Sequence, residues 1–235
     1  MTVYYDLHIH SCLSPCGDED MTPNNIVNMS MLKGLDVIAV TDHNTCGNVR
    51  SVMEVAGDNL LVIPGMEVTT SEEVHVLCYF PTIEQAEEME KMLKENRMPI
   101  KNRAEIFGQQ LYMDAEDEVV GQEEYLLVAA TMLSIDEVVK KAVEIGGVAV
   151  PAHIDKPSYS LISNLGFMPE DLTVTAVEIS PANREKWEEE YSNYVIITDS
   201  DAHFLGDISE RVYSMDITDK KIDEFLAKLT NKKYS

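Results

Sequence analysis

Positive charge is scarce in this chain. Its 235 residues hold 18 lysines and arginines against 42 aspartates and glutamates, a formal net charge of −24. A body this acidic repels nucleic-acid phosphates and anionic membranes, so a polynucleotide partner is not expected. A small anionic substrate stays open. Long apolar runs are missing too, which excludes a membrane-spanning helix. The opening MTVYYDLHIH goes straight into a strand-like segment, with no signal peptide ahead of it. Cysteine is sparse, and Cys12, Cys16, Cys46 and Cys78 follow no disulfide framework. They read as reduced thiols in a cytoplasmic protein. The lone tryptophan, Trp187, reads as packing and marks no cofactor box. Oligomeric state is not legible.

What is present is a pattern of short apolar runs alternating with amphipathic stretches. Strands are expected at Val3–His8, Asp36–Thr41, Leu60–Glu67, Val74–Phe80, Gly147–Ala152, Ala176–Ile179 and Tyr194–Thr198, where Val and Ile concentrate. Helices are expected at Pro23–Lys33, with Thr22 as N-cap and Gly34 as stop, and at Ser134–Ile145, where Ser134 and Glu137 form a capping-box pattern. Ile222–Leu229 is expected to be the last. Strand–helix alternation argues for an α/β protein with a mainly parallel sheet, as a small or incomplete barrel. The stretch from about 82 to 131 breaks the alternation. It reads as an insertion with helices at Glu84–Asn96 and Lys101–Asp114 and an acidic loop from Asp114 to Glu124.

All six histidines lie in short segments that also read as metal-ligand segments. His8 and His10 sit at i and i+2 of a strand, so both imidazoles face one way. Glu67 follows VIPGM, and as a carboxylate it is the candidate to bridge two ions. His75, His153 and the pair Asp201 and His203 complete the set. His43 follows Asp42, which either holds an imidazole in one tautomer or caps the next turn. Asp6 reads as a supporting carboxylate. Most of these residues fall at or just past the C-terminal end of an expected strand, the rim where barrels of this class place their active sites. Imidazole and carboxylate suit zinc, manganese or iron. This many ligands imply more than one divalent ion.

The motifs DLHIH, TDHN, Glu67 with His75, AHID and SDAH resemble, in order from residue 6 to residue 203, those of the PHP (polymerase and histidinol phosphatase) family. The resemblance implies a distorted (β/α)7 barrel over 1–235 and two or three divalent ions. It groups His8, His10, Glu67 and Asp201 on one ion, with Glu67, His75 and His153 on a second. His43 and His203 would hold a third. The loop SCLSPCGDED departs from the family's common pattern, leaving Cys16 or Asp18 to complete that third site. The activity implied is hydrolysis of a phosphate ester, a small phosphomonoester above all, by a metal-activated hydroxide. Glu67, Asp201 and His203 would be the catalytic groups, and Asp201 or a nearby histidine would handle the proton. Lys156, Arg184 and Arg103 are the candidates to hold the phosphate, with Arg211 behind them. The alternatives are a nuclease or nucleotide phosphodiesterase acting on nucleic-acid ends, and a non-catalytic metal-binding regulatory module.

Overall fold

The computed structural model describes residues 1–230, so positions 231–235 of the expected domain lie outside it. In chain order the first elements are β1 (Thr2–Ile9), α1 (Pro23–Leu32), β2 (Val37–Val40), α2 (Val49–Ala56), β3 (Leu61–Val62), β4 (Gly65–Thr69) and β5 (His75–Tyr79). Then come α3 (Ile83–Glu95), α4 (Ala104–Phe107), β6 (Leu111–Met113), β7 (Val119–Gln122), α5 (Ile135–Glu144) and β8 (Val148–Pro151). The chain continues through α6 (Leu161–Leu165), β9 (Ala176–Glu178), α7 (Arg184–Trp187), β10 (Val195–Ile197), β11 (Ser214–Asp216) and α8 (Ile222–Thr230).

Local chemistry explains the helix ends. Thr22 accepts the Asn25 N–H ahead of Pro23, and Gly34 takes φ +77° after the helix, the left-handed turn that glycine adopts without strain. Ser134 and Glu137 cap each other's backbone at the start of α5.

The fold is mixed α/β, but among the described residues the strands form four small sheets and no continuous hydrogen-bonded barrel. Their orders are β11-β1-β2-β3, β4-β5-β8, β9-β10 and β6-β7. β1, β2 and β3 run parallel, as do β9 and β10. β4, β5 and β8 pair antiparallel, which corrects the expectation of a mainly parallel sheet. The connection from Thr69 to His75 is too short for a parallel crossover, so β4 and β5 must fold as a hairpin. The expected strand Leu60–Glu67 is cut at Pro64. Proline offers no N–H to a ladder, and its carbonyl instead accepts the Phe80 N–H at 2.8 Å.

A second correction concerns Lys101–Asp114. Only Ala104–Phe107 is helical, because Gly108 takes φ +94° and ends the turn. β6 and β7 then form a hairpin through the stretch read as helix and loop. Asp114 Oδ1 closes its turn by accepting the Glu116 and Glu118 N–H groups at 3.1 and 2.9 Å. The hairpin leans on the loop after β1, where Leu111 N–H donates to the Cys12 carbonyl.

Two apolar clusters fill the molecule. One lies between helices and strands. The other draws Tyr5 and Leu7 of β1, Ala39 of β2, Leu77 of β5, Val150 of β8, Ala176 of β9 and Ile197 of β10 into a single interior. The sheets around that interior are stitched at one rim. His10 N–H donates to Ala202 O and Ala202 N–H to His8 O, at 2.9 and 3.1 Å. Glu67 N–H donates to Asp42 O, and Ile154 N–H to Glu178 O, at 3.1 and 3.0 Å.

Candidate metal centre

That rim carries the histidines. His8 lies near the end of β1, His43 just past β2, His153 just past β8, and Asp201 past β10. His75 opens β5 instead of ending it, and it reaches the same rim because β5 runs antiparallel to β4. His153 and Asp201 hold φ of +29° and +54°, in the left-handed region that is uncommon for residues with side chains.

Glu67 is the hub. Its Oε1 lies 3.3 Å from His8 Nε2, 2.8 Å from His75 Nδ1 and 3.3 Å from His153 Nε2. Its Oε2 lies 3.4 Å from His10 Nε2 and 3.0 Å from His43 Nδ1. None of these contacts is aligned as a hydrogen bond. Both Glu67 oxygens, both His75 ring nitrogens, His43 Nδ1 and His153 Nδ1 are buried without a partner. Buried polar atoms are normally satisfied, and this many orphans around one carboxylate form a cluster that could hold cations.

Three histidines have their outer nitrogen fixed. Glu178 Oε1 lies 2.9 Å from His8 Nδ1, and as a carboxylate it accepts that proton. Ser14 Oγ gives its own proton to Asp42 at 2.6 Å and lies 2.9 Å from His10 Nδ1, so it accepts there. His203 Nδ1 donates to the Asp201 carbonyl at 2.8 Å. In the neutral ring each arrangement leaves Nε2 as the free lone pair, the tautomer control that metal-binding histidines need.

The remaining expectations sort by geometry. Three groups have donor atoms within 4.8 Å of one another: His8, His10 and Asp201; His43, Glu67 and His75; and His10, Cys16, His43 and His203. Asp18 joins none. Its Oδ1 accepts the Asp20 N–H at 3.0 Å, and its own N–H holds the His203 carbonyl. Gly17 allows the loop to fold back and bring the exposed Cys16 beside His10, His43 and His203, since a Cβ at Gly17 would lie 2.2 Å from Ser11 O. Asp42 takes neither of the roles left open for it directly: it pins the loop after β1 by accepting Ser11 N–H at 2.7 Å, and it reaches His10 only through the Ser14 hydroxyl. Asp6 ties down the segment around Asp201, accepting the Ser200 and Ser209 N–H groups at 3.0 and 2.8 Å.

The opening above the centre, about 160 Å³, is lined by His43, Glu67, His75, His153, Lys156, Ser158, Tyr159, Asp201 and His203. Lys156 forms an ion pair with Asp201. Arg184 and Arg103 do not line this opening. Arg184 donates to Thr198 Oγ1 at 2.8 Å and lies over Tyr213, and Arg103 precedes α4 with its guanidinium over Phe107. Arg211 lies over Tyr4. Glu178, Ser14 and Tyr159 are the site residues that sequence reading passed over. Glu178 gave a usable signal, since it is the one charged residue inside the expected apolar strand Ala176–Ile179.

Electrostatics follow from this packing. Burial pushes the Glu67 carboxyl up, but His75, His8 and His43 hold it well below the usual range. Asp201 is likewise held far down, against its burial, by His8 and His10. Burial brings His10 down to about 3, so it stays neutral and able to bind a cation. His43 goes the other way against its burial, up to about 10, through Glu67 and Cys16. Burial alone would raise the Cys16 thiol, and hydrogen bonds from His203 and His43 bring it down to about 7.

With the geometry in view, the comparisons with known proteins are direct. The model of the PHP domain matches residues 6–234. An uncharacterized protein of Methanocaldococcus jannaschii is 28% identical over 167 residues, which is 71% of this chain and 18% of that protein. The 5'-3' exoribonuclease Rnm of Salmonella typhimurium is 32% identical over 81 residues, 32% of this chain and 27% of that enzyme. The chain thus spans well under a third of the length of these curated relatives. The crystal structure of the lesion-specific endonuclease EndoQ from Pyrococcus furiosus superposes with a TM-score of 0.71 at 20% identity, covering 98% of this chain and 56% of that one. The class these findings define is that of proteins built on the PHP domain, whose fold is shared by a solved chain described as containing a PHP-like metal-dependent phosphoesterase. Within it, the chain belongs to the PHP family.

Proposed function

We propose that this chain hydrolyses a phosphate ester end-on at a centre of two or three divalent ions on the histidine rim. The observation that carries this reading is the Glu67 carboxylate, buried among five imidazoles with no aligned hydrogen bond on either oxygen. His8, His10, Glu67 and Asp201 would hold one ion, and Glu67, His75 and His153 a second. His43, His203 and Cys16 would hold a third. Zinc, manganese or iron suits the first two donor sets, and a thiolate favours zinc or iron at the third. Such ions, when bound, supply a water of lowered pKa and positive charge against the phosphoryl oxygens.

The chain's own residues do the rest. Lys156 reaches the opening as the cation available to a phosphate oxygen, once it gives up Asp201. Asp201, ionised and partly exposed, would take a proton from the attacking water or pass one to the leaving oxygen. Glu178 and Asp42 keep His8 and His10 from turning. The same reading takes β1, β2, β4, β5, β8, β9 and β10 as staves of a distorted (β/α)7 barrel closed at this rim. Residues 82–131 are then its insertion, leaning on the loop that bears Cys16. The shared interior cluster supports that view.

A second reading, cleavage at nucleic-acid ends, gains support from the names of the similar proteins, an exoribonuclease and an endonuclease. The net charge of −24 speaks against a long polyanion lying across this surface, so a terminal or single nucleotide fits better than a duplex. The test is turnover of phosphomonoesters, nucleotides and short oligonucleotides with Mn, Zn or Fe, beside elemental analysis of the protein. Hydrolysis with at least two metals per chain is expected. A protein that binds metal and turns over none of these esters would leave only the regulatory-module reading.

A further inference from the structure

Tyr159 stands at the mouth of the centre in a conformation that costs energy. Its φ is +54°, a region that bulky side chains avoid unless the surroundings impose it. The backbone is held there by the His75 N–H, which donates to the Tyr159 carbonyl at 2.9 Å. The ring lies against the His75 imidazole, with centroids 4.9 Å apart and planes 23° from parallel. Packing does not account for this placement, because the residue is 45% exposed. Its hydroxyl has no hydrogen-bond partner among the described residues.

One face of the ring is therefore covered by a candidate ligand while the residue stays open to the mouth. It is the one phenol or phenyl ring among the residues that line the opening, and Lys156 is the one lysine or arginine. A substrate with its phosphate beside Lys156 and the histidines presents its next group to Tyr159. A phosphate backbone would need a row of cations to follow, and the lining offers none beyond Lys156. A single planar group needs only a ring face.

Resting on the phosphoesterase reading above, we propose that Tyr159 is a stacking platform for the nucleobase next to the scissile phosphate. The substrate is then one nucleotide unit, free or at a chain end. Base stacking on an aromatic side chain tolerates every base and is strong enough that its removal is felt roughly tenfold or more in binding. Specificity would accordingly lie in the presence of a base and not in its identity.

The experiment compares AMP, 5'-phosphorylated diadenylate and ribose 5-phosphate on the metal-loaded wild type, Tyr159→Ala and Tyr159→Phe. Tyr159→Ala is expected to raise KM for the two base-bearing esters roughly tenfold, with a much smaller change for ribose 5-phosphate and little change in kcat. Tyr159→Phe keeps the ring face and should behave as wild type. The lower KM of AMP or the dinucleotide identifies the free nucleotide or the chain end as the source. Equal losses on all three esters, or a phenylalanine variant as poor as the alanine one, would overturn the platform. If the wild type turns over none of the three, the phosphoesterase reading fails by itself. Equilibrium dialysis of AMP against the same three proteins then decides the platform, which predicts weaker binding in Tyr159→Ala alone.

Discussion

Glu178 grips two of the histidines at once. One of its oxygens lies 2.9 Å from His8 Nδ1, and the other accepts the His153 backbone N–H at 2.7 Å. A carboxylate at the end of β9 thereby sets the tautomer of His8 on β1 and the position of His153 past β8.

Glu178→Ala removes both contacts. Loss of such an outer partner typically costs 10- to 100-fold in metal affinity or activity, and that range is expected here. Glu178→Gln retains one acceptor oxygen and should lose less. Metal titration with a competing chelator, beside turnover, checks the order; an alanine variant with wild-type affinity would contradict it.

Glu67→Ala should be worse than any single histidine change, because the carboxylate faces five imidazoles. The expected outcome is a protein that purifies with fewer metals and has lost its hydrolytic activity. Full metal content with unchanged turnover would rule out a bridging role.

Chelation should lower the thermal midpoint. A metal at a hundredfold excess over its Kd adds about 2.7 kcal/mol to the folded state. For a chain of this length that is a Tm difference of roughly 5 to 10 °C. Calorimetry with EDTA, then with Zn or Mn restored, measures it; an unchanged Tm would mean that the rim does not bind them.

Cys16 gives a pH signature. In the metal-free protein its thiol is brought down to about 7 from an ordinary value of 9.0, so alkylation by iodoacetamide should rise through pH 7. Metal should protect it. The linked stability has the sign of a lowered acid: fully present above pH 9, falling through 7, and gone below. Alkylation that rises only near pH 9, or that ignores metal, would remove Cys16 from the ligand set.

Ser134→Ala breaks the capping box of α5 and should cost about 1 kcal/mol in urea unfolding, without touching metal content. A loss of metal would show coupling between α5 and the rim.

The candidate ligand types were legible because their chemistry is local. Imidazoles two apart on a strand, or a carboxylate after an apolar run, announce themselves whatever surrounds them. Helix ends were legible for the same reason: Thr22, Gly34 and the Ser134–Glu137 pair act within one turn. The hairpin at 111–122 was not, because charged residues hid a short two-stranded pairing whose support comes from the loop after β1.

By itself, then, the sequence determined the α/β character, the helix caps and the roster of histidines, all of which depend on neighbours a few residues away. Only tertiary structure decided that β5 runs antiparallel and delivers His75 to the common rim, and that Cys16 rather than Asp18 comes within reach of His10, His43 and His203. It also decided that Glu178 steadies His8 and that Arg184 and Arg103 lie away from the opening. Those outcomes rest on contacts between residues tens to hundreds of positions apart, and no local pattern encodes which of several charged side chains a folded rim will bring together.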